Sequence, residues 1–450
     1  MTLAPARFAP HALLVLALVF GGGGSPAPLN EMALEWAALL ALVIALWFAT
    51  RPRSEPALGW AVAVAVLALP ALQLVPLPPG LWQDLPGRTM EAAALALVDA
   101  GGRWMPLAVS PPRTLAALLA LVVPLVLLVL TARSDRPLRT GLIAAVAGLA
   151  VLSALVGIVQ LAGPALEFYA ERNVGYLTGF QANRNAQADV LLIGIVALAA
   201  LAGGRVGRDS RSVATLAGIA LLAVAILFTG SRAGIALLVP TLTGVTWWLG
   251  SDRLRRVRPA SLAALSAVVA AGAGALLLAL RDNPVAGRIA ARFGEGGGPR
   301  PELWSDTLFA AGLHWPWGSG LGSFVPVFVA AERLEMVDPS HPNRAHNDYL
   351  EFALEAGAPG MILLAGLAAL LAWCLRGRWR AAAAGSERAE VVFAGSTLLI
   401  LAAHSIVDYP LRSMALAALL GVASGIVAAP RTLTMARPAR SGGQVETSSS

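Results

Sequence analysis

Lysine is absent from this chain of 450 residues, and all 33 of its basic side chains are arginines. Cysteine is almost absent. The single Cys374 excludes an internal disulfide and any cysteine-based metal site. Charge of either sign is scarce, at 13% of residues where soluble domains carry about 25%. Hydrophobic residues make up 57%, and the mean hydropathy is +0.71. A chain so poor in charge is not a soluble domain; it reads as a polytopic membrane protein with room for roughly a dozen spans of about 20 residues. A net charge of +7 would suggest nucleic acid if it were clustered. Here the arginines sit in short connectors between apolar runs, the pattern of topology determinants, so no nucleic-acid partner is expected.

Apolar runs of spanning character fall at about 11–24, 32–49, 57–77, 114–131, 140–162, 185–203, 212–229, 233–250, 259–280, 350–375, 391–407 and 411–429. The first, with Arg7 before it and small residues from Gly21 to Ala27 after it, reads as helix 1 or as a signal peptide; retaining it keeps the charge count consistent. With the N-terminus inside, the inner connectors carry Arg51 and Arg53, then Arg133, Arg136 and Arg139, then the 205–211 and 253–258 runs, then Arg376 to Arg388. The short outer connectors carry almost none, so both termini are expected inside. The expected organisation is therefore 1–280 with nine spans and an outer loop at 78–113, a long outer loop at 281–349, three spans within 350–429, and a disordered inner tail at 430–450. No internal repeat is visible, which speaks against a transporter.

Few charges are deep within the expected spans: Glu35 in the second, His404 in the eleventh, with Asp408 one turn beyond His404 and on the same predicted helix face. That pair either bonds between helices or supports an outer site from beneath. In Ser231-Arg232-Ala233-Gly234 two spans meet with almost no loop. Ser231 can cap the next helix, and a guanidinium beside a helix N-terminus is suited to phosphate, with a plain interfacial anchor as the lesser alternative for Arg232. Asn183-Arg184-Asn185 offers two amides and a cation at another helix start, or simply a turn and cap.

The long loop is the most polar passage. Arg288 and Arg292, then Arg300 and Trp304, are each four apart; Trp315 and Trp317 precede Gly318, Gly320 and Gly322; His341 and His346 follow. The tryptophans are either belt residues or sugar-stacking platforms. His346, in His346-Asn347-Asp348-Tyr349, opens a helix expected to break at Gly357 and Gly360. Two histidines five apart without a carboxylate cluster predict no metal site. No Asp-x-Asp stands in an outer loop, as a metal-dependent glycosyltransferase would usually need, and no pair of outer carboxylates suits glycoside hydrolysis.

Taken together, Arg300-Pro301-Glu302-Leu303-Trp304, Gly318-Ser319-Gly320-Leu321-Gly322, His346-Asn347-Asp348-Tyr349-Leu350 with Gly357, the two earlier motifs, and His404-Ser405 with Asp408 resemble the O-antigen ligase / O-antigen polymerase superfamily over about residues 140–425. The resemblance implies an all-α, GT-C-like architecture of about twelve transmembrane helices in the bacterial inner membrane, with a periplasmic catalytic loop between helices 9 and 10. It also implies glycan transfer from an undecaprenyl-diphosphate-linked donor, inverting, with no metal and no nucleotide sugar. The acceptor is lipid A–core for a ligase, or a second lipid-linked glycan for a polymerase. By motif, Arg232 and Arg300 would bind the diphosphate and His346 would deprotonate the acceptor hydroxyl. Asn183, Arg184, Asn185, Ser231, Trp304, Asn347, Asp348, Tyr349, His404 and Asp408 would line the substrate site. Asp348 stands where the family commonly has Ser or another small polar residue, so it either tunes His346 or caps the helix. Two guanidiniums can neutralise a diphosphate leaving group in place of a metal, and a histidine side chain is the usual base near neutral pH. The run Asp408-Tyr409-Pro410-Leu411-Arg412 resembles members from exopolysaccharide systems. A flippase would line a path across the membrane with its charges, whereas these collect on one side. A non-catalytic subunit of an envelope-glycan complex is the remaining reading.

Overall fold

A computed structural model describes residues 4–23, 28–48, 56–163, 166–169, 173–204, 209–250, 287, 291, 300–337, 342–382 and 385–430. The expected span at 259–280, Arg288, Arg292, His341 and almost all of the tail lie outside the described residues.

The protein is an all-α membrane protein. Its helices are α1 (Ala4–Phe20), α2 (Pro28–Phe48), α3 (Ala57–Gln73), α4 (Pro79–Trp82), α5 (Thr89–Ala96), α6 (Pro111–Ala120), α7 (Val122–Arg133), α8 (Arg136–Ala162), α9 (Arg184–Leu201), α10 (Ser210–Phe228) and α11 (Arg232–Leu249). After the undescribed stretch come α12 (Arg300–Leu313), α13 (Phe324–Ala331), α14 (Asp348–Ala381), α15 (Ser386–His404) and α16 (Met414–Ala428). Among the described residues, six helical segments are long and apolar enough to cross a membrane: Leu29–Phe48, Pro111–Arg133, Arg136–Ala162, Arg184–Leu201, Ser210–Phe228 and Asp348–Ala381. Three of the other expected spans fall on the shorter apolar helices α1, α3 and α16. Another falls on α15, whose first turns carry Glu387, Arg388 and Glu390, and another on α11, which contains Pro240.

Helix α9 is the centre. Fourteen of its 18 residues are buried, all but Gln187 and Asp189 among them apolar, as suits a helix enclosed by α8, α10, α11 and α15. The closest pairing is α16 on α7, where Gly421 and Gly425, spaced i, i+4, let the backbones touch. A Cβ on Gly421 would lie 2.2 Å from the Pro124 carbonyl oxygen, and one on Gly425 2.5 Å from that of Leu128. Helix α1 is part of this core: Leu13, Leu14 and Ala17 are buried against it, and the Gly21 carbonyl accepts from the Ala415 amide at 3.0 Å.

The 78–113 loop and the described part of the long loop are built, not slack. The 78–113 passage contains a short antiparallel pair, β1 (Pro76–Leu77) with β2 (Met105–Pro106), and α4 and α5. Arg88 is buried there against the carbonyls of Pro106 and Leu107 and the Glu91 carboxylate. It meets the 318–322 glycine turn, since the Val109 amide donates to Ser319 O at 2.8 Å.

That turn explains the break in α14. The helix departs from helical dihedrals at Gly357 alone, with φ 58° and ψ −158°, while Gly360 remains helical. The departure frees carbonyls that lipid could not satisfy. The Ser319 and Gly320 amides take those of Leu354 and Glu355 at 3.1 and 2.9 Å, and Gln73 Nε2 adds a second bond to Glu355 O at 3.0 Å. Pro316 O accepts from the Ala358 amide at 2.8 Å. A Cβ on Gly357 would lie 2.2 Å from that oxygen, in a backbone region open only to glycine. Gly357→Ala is therefore expected to cost roughly 3 kcal/mol or more, combining backbone strain with the clash, and to lower the thermal midpoint in detergent by several degrees. An unchanged midpoint would refute this account of the break.

Candidate active site

Three helices begin at one end of the bundle, each with the cap its sequence offers. Asn183 accepts from the Asn185 amide at 2.8 Å, Ser231 from Gly234 at 3.1 Å, and Asn347 from Tyr349 and Leu350 at 3.0 and 3.1 Å. The α11 start lies against α9, where a Cβ on Gly234 would meet that of Ala188 at 2.5 Å. The starts of α9 and α14 both meet the irregular turn between α15 and α16.

Asp408 is the centre of that turn. The sequence places it on one helix face with His404, but α15 ends at His404 and the chain tightens, with the Val407 amide donating to His404 O at 3.0 Å. The expected pair is therefore split. Asp408 turns to His346, whose Nδ1 lies 2.9 Å from Oδ1, while Asn185 Nδ2 donates to Oδ2. His404 turns inward, its Nδ1 2.6 Å from Oδ1 of the fully buried Asp189. Burial pushes the Asp408 carboxyl up, but the His346 hydrogen bond and charge, with His404 and Asn185, outweigh it and hold the group below the ordinary carboxylate value. Asp408 thus stays anionic where a histidine needs an orienting acceptor.

His346 is held in a committed orientation. Its backbone is left-handed, φ 50°, a strain of order 1–3 kcal/mol that tends to mark functional positions. Its ring meets Tyr409 edge-on at 4.9 Å between centroids, and its side chain is 31% exposed. With Asp408 on Nδ1, the neutral form of the ring would carry its proton there and leave Nε2 to accept one. Burial and the adjacent Asp408 charge push the Tyr409 phenol up to about 12, so it stays protonated, and Asn183 Nδ2 donates to its oxygen at 3.4 Å. Asn183, Asp189, Asp408, Tyr409 and Ser413 help line a narrow cleft of about 10 Å³, the room one water needs.

Beneath this lies a buried ionic network. Asp348, Glu351 and Glu355 lie on one face of α14 and converge on Arg412, whose Nη2 is 3.2 Å from Glu351 and 2.8 Å from Glu355 and whose Nε is 3.7 Å from Asp348. Glu351 also takes Arg344 Nη1 at 3.0 Å and the Ala345 amide at 3.0 Å, and Glu355 the Phe324 amide at 3.1 Å. Asp348 accepts from Ser405 Oγ and the Leu411 amide, and its own amide donates to Ser405 O and Asp408 O. The network ties the 405–412 turn to the segment bearing His346.

The structure brings together His346, Asn347, Asp348, Asn183, Asn185, His404 and Asp408. Arg300, at the start of α12, is near enough for its charge to act on His404, and the Trp304 indole on the same helix donates to Ala345 O at 3.0 Å, next to His346. Arg184 is stacked over Tyr176 at 4.5 Å, and Tyr349 donates its hydroxyl to Ala402 O at 2.8 Å. Arg232 opens α11 half-buried behind its cap. Direct substrate contact does not suit the buried members. Ser231 and Asn347 serve as caps, His404 is engaged by Asp189, and Asp348, whose side chain takes the Ser405 hydroxyl and the Leu411 amide, belongs to the network. Sequence reasoning passed over Asp189, Glu351, Glu355 and Arg344. The signal was present: an acid within the α9 span, and acids at 348, 351 and 355 at helical spacing.

Residues 217–365 match a family model described as O-antigen ligase. The matched region takes in Arg232, Arg300, the glycine turn, His346 and Gly357, and it supports the O-antigen ligase / O-antigen polymerase superfamily. No curated protein matches the chain.

Proposed function

We propose that this chain, of the O-antigen ligase / O-antigen polymerase superfamily, is a glycosyltransferase of the bacterial inner membrane that moves a glycan from undecaprenyl diphosphate to an acceptor hydroxyl on the periplasmic side, as an O-antigen ligase does. The observation that carries the reading is His346 with Nδ1 committed to Asp408 and Nε2 left to accept a proton. The acceptor hydroxyl oxygen attacks the anomeric carbon, its proton passes to Nε2, and the bond from that carbon to the diphosphate oxygen breaks with inversion. The diphosphate departs on its lipid. Arg300 and Arg232 would offset the negative charge that grows on it, aided by the helix N-termini gathered at this end. Of the remaining features of the proposal, both cytoplasmic termini rest on the arginine distribution and about twelve spans on the order of the apolar runs, while the GT-C-like arrangement is what the family resemblance implies.

A deletion strain tests the reading. Loss of the gene should leave lipid-linked polymer that is no longer attached to lipid A–core. Short glycans still attached to lipid A–core would make the enzyme a polymerase working on a second lipid-linked unit. Unchanged surface glycan of every kind would remove the transferase reading altogether.

A further inference from the structure

Far from His346, the last turns of α14 and the C-terminal end of α16 enclose a cleft of about 460 Å³. Leu58 of α3, Trp373 and Val427 give it an apolar wall, and Arg376, Arg378 and Arg380 stand among its lining residues. Among the described residues that line it, none is acidic. Arg378 is fixed in place: its Nε donates to Val427 O at 2.8 Å and its Nη2 to Ala429 O, closing the C-terminus of α16. Arg376 and Arg380 are exposed and four residues apart, hence on the same helix face, and Trp373 is 73% exposed.

The depth of the cleft selects its occupant. From the break at Gly357 to Arg378 the helix rises roughly 30 Å, the thickness of a bilayer's hydrocarbon core. The cleft therefore lies at a membrane boundary, apolar wall toward the acyl region and guanidiniums toward the headgroups. Arginines at such a place are usually topology determinants, which accounts for their charge. It does not account for an open apolar cleft beside a fixed guanidinium.

We propose that this cleft binds an anionic phospholipid, with the phosphate held by Arg376 and Arg380 beside Arg378 and an acyl chain laid along Leu58, Trp373 and Val427. Guanidinium groups suit a phosphate diester, and basic clefts between membrane helices are suited to anionic headgroups. A soluble anion would make no use of the apolar wall.

Native mass spectrometry of the full chain in detergent, titrated with phosphatidylglycerol and separately with phosphatidylcholine, reads the result. Phosphatidylglycerol should bind preferentially, and the double variant Arg376→Gln/Arg380→Gln should weaken it on the order of tenfold. Both residues are exposed and leave the Arg378 cap intact, so the variant should elute and melt as the parent does. The Lys/Lys variant should recover much of the preference. Equal retention of the two lipids, parent-like binding by the Gln/Gln variant, or complete displacement of phosphatidylglycerol by inorganic phosphate would each overturn the proposal.

Discussion

His346→Ala is expected to lower glycan transfer by roughly 10²–10⁴-fold while the protein still inserts and folds, because a positioned general base contributes about that factor. The side chain is partly exposed at the mouth of the site and makes one ring–carboxylate bond, so its removal leaves no buried charge without company other than Asp408, which keeps Asn185. Asp408→Asn should be the milder change. An amide on Nδ1 can still hold the ring but permits the wrong tautomer and does not stabilise the imidazolium formed in the reaction. If His346 carries the proton and Asp408 acts through it, the double variant should be no worse than His346→Ala alone, a non-additivity that two independent roles would not give. The readout is glycan attachment in a deletion strain complemented at matched membrane levels, followed by transfer in vesicles carrying lipid-linked donor. Parent-level glycan from the His346→Ala strain would end the assignment of the base.

Much of this was legible in the chain because membranes leave few alternatives. The helix starts could be placed from Asn183, Ser231 and Asn347, since a short polar side chain ahead of an apolar run has an orphan amide to satisfy wherever the helix goes. His346 stood out for the opposite reason, as a titratable group at the start of the longest helix. What could not be read was pairing. His404 and Asp408 are one turn apart in sequence, and helical periodicity puts them together; only the early end of α15 separates them, and the turn that follows is held by Asp348, from another helix, which takes the Ser405 hydroxyl and the Leu411 amide. The break at Gly357 was visible as glycine, but its stabilisation comes from the turn at 318–322, about 40 residues earlier, whose amides take the freed carbonyls. Among the described residues, α16 is shorter than the expected span at 411–429 for a similar reason: it begins only after the irregular 405–413 turn, whose backbone is used to build the site.

The largest effect on stability should come from Arg412. Its guanidinium reaches three carboxylates, two of them on residues with fully buried side chains, and it is itself only 17% exposed. The surrounding acids push its pKa further above the usual guanidinium value, against the opposing effect of burial, so Arg412 remains a cation. A buried network of this kind contributes little relative to an apolar replacement of the whole, yet removing one partner leaves the others uncompensated, at about 3–5 kcal/mol. Arg412→Met is therefore expected to bring the protein to the margin of folding, measured as loss of the monodisperse peak in size-exclusion chromatography and of the thermal transition in detergent. Arg412→Lys should recover only part, because a point charge cannot reach three acceptors with the geometry of a planar fork. The deciding variant is Arg412→Met with Glu355→Gln. If the damage is uncompensated charge, removing one carboxylate should return part of the stability, whereas if Arg412 serves by packing alone, the second change should deepen the loss. Transfer should not recover with it. The Asp348 amide donates to the carbonyl of Asp408, and the same residue anchors Ser405 and Leu411, so a refolded variant without Arg412 would still hold the orienting carboxylate of His346 loosely. Stability regained without activity would assign the network its role: it sets the position of Asp408, and through it the direction in which His346 accepts a proton.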